Sequence, residues 1–197
     1  MGSIHKEPLS ELVKKLSQEL LLHDFVETGT YKGDGTEFAT TVFDRVTTIE
    51  INPAFQEAAK TRLSGKNVCF ELGDSATVLP KVLASLHGPA LFWLDGHAGG
   101  GFYSKEDNCP LIAELNAIAA SPFEHVIFVD DARAFVAPPP PPFNSAAWPT
   151  LVEVIEAARK RFAYQCVIIN DVIMFTPLAG RPFVTEFCTR VRPTISK

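Results

Sequence analysis

A chain of 197 residues with 46% hydrophobic side chains can bury one substantial core and is short for two independent α/β units, so one domain is expected. The formal charge of -5, with Lys and Arg scattered, excludes an extended phosphate-binding surface, and apolar runs of strand length broken by acids exclude a membrane span. The start MGSIHKEPLSELVKK lacks a secretory apolar region, and Cys69, Cys109, Cys166 and Cys188 form no CxxC pair or zinc pattern, so a cytoplasmic protein with free thiols is expected.

Residues 8–22 carry Leu9, Leu12, Val13, Leu16 and Leu20 at helical spacing, which predicts an amphipathic helix within an N-terminal segment, 1–23. From 24 to 178, apolar runs with strand character alternate with helical patterns. The strands fall at Phe25–Thr28, Val46–Ile51, Val68–Leu72, Leu91–Leu94 and Val126–Val129, with helices near 36–43, 53–63, 76–86, 110–120 and 149–162. Such alternation predicts a single Rossmann-like, doubly wound α/β sheet, mostly parallel, with helices on both faces. Cys166–Ile169 and Val172–Phe175, joined at Asn170-Asp171, read instead as an antiparallel hairpin. Pro138–Pro142 make 135–149 an extended proline-rich loop, either a spacer or a lid, and 179–197 is expected as a C-terminal tail.

In open α/β sheets ligands bind beyond the carboxyl ends of the strands, and the first strand, loop and helix border that crevice. Phe25–Gly35 occupies this place, with Thr30 in the loop and Gly29, Gly33 and Gly35 allowing close backbone approach. The spacing G-x-x-x-G-x-G differs from the dinucleotide pattern G-x-G-x-x-G. Glu27, just before the loop, would repel a pyrophosphate and attract the ammonium and sulfonium of S-adenosylmethionine (SAM). Glu50, ending the second strand, suits vicinal ribose hydroxyls, and Asp74-Ser75 after the third suits the adenine amino group. Structural alternatives exist for each acid. Loop amides could satisfy Glu27, Glu50 could cap a helix, and Asp74 or Ser75 could be an N-cap.

With E-T-G-T-Y-K-G-D-G, Glu50 and G-D-S in these positions, residues 22–177 resemble the class I SAM-dependent methyltransferases. The resemblance implies seven strands in order 3-2-1-4-5-7-6, the seventh antiparallel. In that order the fourth and fifth strands are neighbours, which brings together Leu94-Asp95-Gly96-His97 and Val129-Asp130-Asp131-Ala132-Arg133. Close carboxylates need a proton, an arginine or a divalent cation, and oxygen ligation suits Mg2+, Ca2+ or Mn2+. This pattern is similar to the metal-dependent O-methyltransferases of the macrocin type, implying Asp95, Asp130 and Asp131 as metal ligands near an acceptor hydroxyl. Asp95 also borders the cofactor, and His97 is a candidate base. The bland alternative pairs Arg133 with Asp131 and leaves His97 orienting a loop. Gly99–Asp107 reads as an acceptor-side loop.

The expected reaction is methyl transfer to a hydroxyl of a small molecule. An iron-dependent enzyme resembling the cephalosporin-hydroxylase-like group, or a non-catalytic SAM-binding scaffold, are the alternatives. No nucleic acid or membrane partner is expected, and a homo-oligomer is compatible with the sequence.

Overall fold

The computed structural model describes residues 3–98, 109–141 and 143–191. Seven strands form one sheet: β1 (Asp24–Thr28), β2 (Arg45–Glu50), β3 (Val68–Leu72), β4 (Ala90–Leu94), β5 (Val126–Val129), β6 (Gln165–Ile169) and β7 (Val172–Thr176). Their order is β3-β2-β1-β4-β5-β7-β6. The first five run parallel, and β7 is antiparallel to both β5 and β6. The sheet therefore has the seven-stranded topology and terminal hairpin expected from the sequence. Asn170 and Asp171 both adopt positive φ, 50° and 65°, the handedness that a tight two-residue hairpin turn demands.

Alternation along the strands divides the core into two layers. Val26, Phe92, Leu94, Ile127, Val129, Ile173 and Phe175 face one side, where they meet α4 (Ser75–Ala84), α5 (Leu111–Ala120) and α7 (Leu151–Ala158). Phe25, Leu91, Trp93, Val126, Phe128 and Met174 face the other, against α1 (Leu9–Glu19), α2 (Asp34–Ala39) and α8 (Arg181–Val191). Every residue of β4 is buried, as expected for a central parallel strand covered on both faces. The remaining helix of the first half, α3 (Pro53–Arg62), starts where Asn52 accepts a hydrogen bond from Ala54 N at 2.9 Å and Pro53 occupies the first turn.

Three stretches differ from the sequence expectations. The helix expected over 36–43 ends at Ala39, and Thr40 and Thr41 turn their hydroxyls back onto the carbonyls of Glu37 and Phe38. The tail expected over 179–197 contains α8, whose Val184 and Phe187 are buried in the layer shared with Leu9, Leu12 and Leu16. The proline-rich loop is extended only in part. A short helix, α6 (Arg133–Val136), precedes the prolines, and a 3-10 turn at Ser145–Ala147, capped by Asn144, follows them. Pro142 and the Gly99–Asp107 loop lie outside the described residues.

Candidate functional site

The sheet ladder continues into the loops at its carboxyl edge, and this fixes the acids of the sequence motifs side by side. Gly29 N donates to Ile49 O, Gly73 N to Glu50 O, Asp95 N to Thr28 O and Asp130 N to Leu94 O, all between 2.9 and 3.1 Å. Gly29 has φ 85°, and a Cβ there would stand 2.2 Å from the Asp95 carbonyl oxygen. Only a glycine lets the β1 loop cross this close to the end of β4.

Glu27 is 3% exposed. Its Oε2 accepts from Thr36 Oγ1 at 2.5 Å and Thr48 Oγ1 at 2.8 Å, and Thr48 in turn is 2.6 Å from Thr30 Oγ1. Burial pushes the carboxyl up to about 7 against the opposing effect of the two hydroxyls. Its partners are threonine hydroxyls, not the loop amides considered from sequence. A Cβ at Gly35 would stand 2.3 Å from Glu27 Oε1, so the start of α2 packs directly on this acid.

Glu50 holds the opposite wall. Its Oε2 accepts from Tyr31 N at 2.9 Å and its Oε1 from Asn52 N at 2.8 Å, which ties the glycine loop to the end of β2. Each carboxylate oxygen retains capacity for a second donor. Among the described residues no cationic side chain pairs with Glu27, Glu50 or Asp74. Beside Glu50 lie three exposed apolar side chains, Tyr31, Ile51 and Leu72. Asp74 is exposed and caps α4 through Ala76 N at 3.0 Å, while Ser75 is buried. The capping role considered for Asp74 is thus present, and its second oxygen is outside that bond.

The second part of the site lies at the ends of β4 and β5. Asp95, His97 and Asp131 each offer a ligand atom, and these atoms all lie within 4.8 Å of one another. His97 Nε2 stands 3.4 Å from Asp131 Oδ2 and 3.9 Å from Asp95 Oδ1. Asp130, expected as a third acidic ligand, is not in this group. The strand stops at Val129, Asp130 turns its Oδ1 back to accept from Asp131 N at 2.8 Å, and Asp131 with φ 54° swings toward His97. Adjacent acids thus face different ways, and His97 stands where Asp130 was expected.

Electrostatics sharpen the division. Burial raises Asp95 well above the ordinary carboxylate range, with His97 opposing and Asp130 and Asp131 adding to the rise. Burial likewise raises Asp130, to about 6. For Asp131 burial is overcome by the hydrogen bond to His97 and the charges of His97 and Arg133, so its carboxyl is lowered. Burial disfavours the charged form of His97, yet Asp131 and Asp95 raise it. Two oxygens and one imidazole nitrogen with excess negative charge are a donor set that fits a divalent cation.

Arg133 Nη2 contacts Asp131 Oδ1 at 2.7 Å, and Arg133 Nη1 pairs with Asp171 Oδ2. The Arg133–Asp131 pair weighed as a bland alternative is therefore formed, but it leaves Asp131 Oδ2 facing His97. The imidazole is wedged edge-on between Phe135 and Trp148, at centroid distances of 5.7 and 5.2 Å, and its side chain is 2% exposed.

Glu114, Ile51, Leu72 and Asp171 were missed by sequence reasoning. Glu114 is 1% exposed on α5, next to Gly96, and burial raises its carboxyl. Its signal was an acid inside a helix, LIAELNAIAA, whose one other polar side chain is Asn116. Ile51 follows Glu50 directly, whereas Asp171 was legible only as a turn residue.

No protein-family model matches this sequence, and no curated protein sequence matches it either. Solved structures do match. The O-methyltransferase TomG of Streptomyces achromogenes, involved in tomaymycin synthesis and solved with SAM, superposes with a TM-score of 0.58 at 17% identity, covering 87% of this chain and 81% of that one. The S-adenosylhomocysteine (SAH)-bound methyltransferase PaMTH1 of Podospora anserina gives 0.57 at 13% identity, over 87% and 79%. An O-methyltransferase of Bacillus cereus in complex with SAH gives 0.53 at 13%, over 88% and 84%. Strand order, hairpin and superposition agree that this chain has the fold of the class I SAM-dependent methyltransferases.

Proposed function

We propose that the protein is a SAM-dependent methyltransferase that alkylates a hydroxyl of a small molecule with the help of a divalent cation. The observation that carries this reading is the placement of Glu27, Glu50 and Asp74 at three consecutive strand ends, with Asp95, His97 and Asp131 beside them at the next two. Glu50 binds the vicinal ribose hydroxyls, Ile51 and Leu72 offer apolar surface to the adenine, and Asp74 meets its amino group. Glu27 and the Gly29 turn face the aminoacid end, where positive charge is favoured. TomG, PaMTH1 and the Bacillus enzyme, bound to SAM or SAH, support this assignment by analogy of fold alone.

A cation held by Asp95, His97 and Asp131 would lower the pKa of the acceptor hydroxyl and orient it. His97 serves here as a ligand instead of the free base expected from sequence, because its Nε2 is turned to the carboxylates. Attack by the acceptor oxygen forms the C–O bond as the C–S bond breaks. The electron pair stays on sulfur, giving SAH, and the hydroxyl proton leaves to solvent.

Calorimetric titration with SAM, SAH and NAD, with and without Mg2+, tests the reading. Saturable binding of both adenosyl compounds and none of NAD is expected. Absence of SAM and SAH binding overturns it, and metal binding without either would favour the oxidative alternative.

A further inference from the structure

We infer that His97 makes this centre a nitrogen-containing site that selects first-row transition ions over magnesium, with Arg133 and Asp171 acting as positioning residues for Asp131. The inference rests on the reading of Asp95, His97 and Asp131 as a metal site and deepens it by assigning the class of ion.

The donor types decide the selection. Magnesium is a hard ion that keeps its waters and favours oxygen, whereas an imidazole nitrogen suits Fe2+, Ni2+, Cu2+ or Zn2+, and affinity at such a site rises from Mn2+ through Co2+ and Ni2+ to Cu2+ and falls back at Zn2+. A site made for magnesium at this sheet edge would use the neighbouring carboxylate, and Asp130 is one residue away. Its carboxylate is instead folded onto the backbone of Asp131, and the position is filled by His97 Nε2. The imidazole is buried and its ring plane is set by Phe135 and Trp148, so the nitrogen is presented without a search over rotamers.

Asp131 is held from behind. One oxygen faces His97, and the other is pinned by Arg133, whose guanidinium is fixed in turn by Asp171 in the β6–β7 turn. Arg133 N also donates to Asp171 Oδ1 at 3.0 Å, and Ala132 N to Asp171 O at 2.8 Å. The antiparallel hairpin thereby reaches the end of the neighbouring β5 to orient a ligand, a support of the kind whose loss weakens metal affinity about 10- to 100-fold.

The test titrates the purified protein with MgCl2, MnCl2, CoCl2 and ZnCl2 by calorimetry, and records electron spin echo modulation of the Mn2+-loaded protein. Expected are Kd values at least about tenfold lower for Co2+ and Zn2+ than for Mg2+, and modulation from the coordinated imidazole nitrogen that disappears in His97→Gln. In Asp171→Asn, Co2+ affinity falls about tenfold with SAH affinity retained. Echo modulation is read on the unaltered protein, so a His97 variant that fails to fold does not block the test. Equal Mg2+ and Co2+ affinity without nitrogen modulation overturns the selection and leaves a metal site of oxygen ligands. Binding of none of the four ions overturns the metal reading itself.

Discussion

At the scale of single residues, Glu27 and Glu50 are both acids at strand ends, yet their surroundings give them different behaviour. Glu27 is sealed among threonines and titrates at about 7 instead of its ordinary 4.5. Because the folded chain holds this proton over a range where the unfolded chain has released it, stability falls as pH rises from about 4.5 to about 7, by about 3 kcal/mol from this group. Urea unfolding of Glu27→Gln across that window should show the wild-type decline reduced by this amount, the remainder including Asp130, whose raised value acts with the same sign. Equal slopes in the two proteins would mean that Glu27 is ionised throughout. Glu50 accepts two backbone hydrogens. Its replacement by alanine should weaken SAH binding roughly 10- to 100-fold, the scale of charge-assisted hydrogen bonds, as read by calorimetry. The type of each residue was visible in the sequence, and the partners that set their protonation were not. Thr36 and Thr48 reach Glu27 from elements 9 and 21 residues away.

Elements carry the next level of information, and here the close crossing of loops is decisive. Gly29 lies where the β1 loop passes over the end of β4, in a left-handed conformation and against the Asp95 carbonyl. Gly29→Ala therefore combines backbone strain with overlap and is expected to cost about 3 kcal/mol or more, read as a lower urea midpoint with loss of SAH binding. Periodicity disclosed the strands because buried parallel strands such as Ala90–Leu94 are continuous apolar runs. It disclosed less where side chains redirect the chain locally. Thr40 and Thr41 end α2 early, and the turn at Asp131 sends adjacent aspartates in different directions, so His97 replaced Asp130 in the cluster. That exchange depends on one backbone angle, which spacing along the chain does not encode.

For the whole molecule, the two termini of the described chain close one face of the sheet together. Phe187 of α8 is 3% exposed and shares its layer with Leu12 and Leu16 of α1, while Arg190 pairs with Glu11 at 2.6 Å. Phe187→Ala should destabilise the protein by about 3 kcal/mol in urea unfolding while leaving SAH affinity unchanged, since this face lies away from the strand ends. The helix was hidden in the sequence because its buried positions, Val184 and Phe187, are few and its remaining face is polar. The opposite layer ends in Trp148, packed 5.2 Å from His97, whereas the second tryptophan, Trp93, lies in the other layer. That contact equips the protein with an optical gauge of its own. A paramagnetic ion at His97 would extinguish the emission of Trp148, and diamagnetic Zn2+ would spare it. In Trp93→Phe, where Trp148 is the remaining emitter, the contrast between Co2+ and Zn2+ should be read directly as occupancy of the centre.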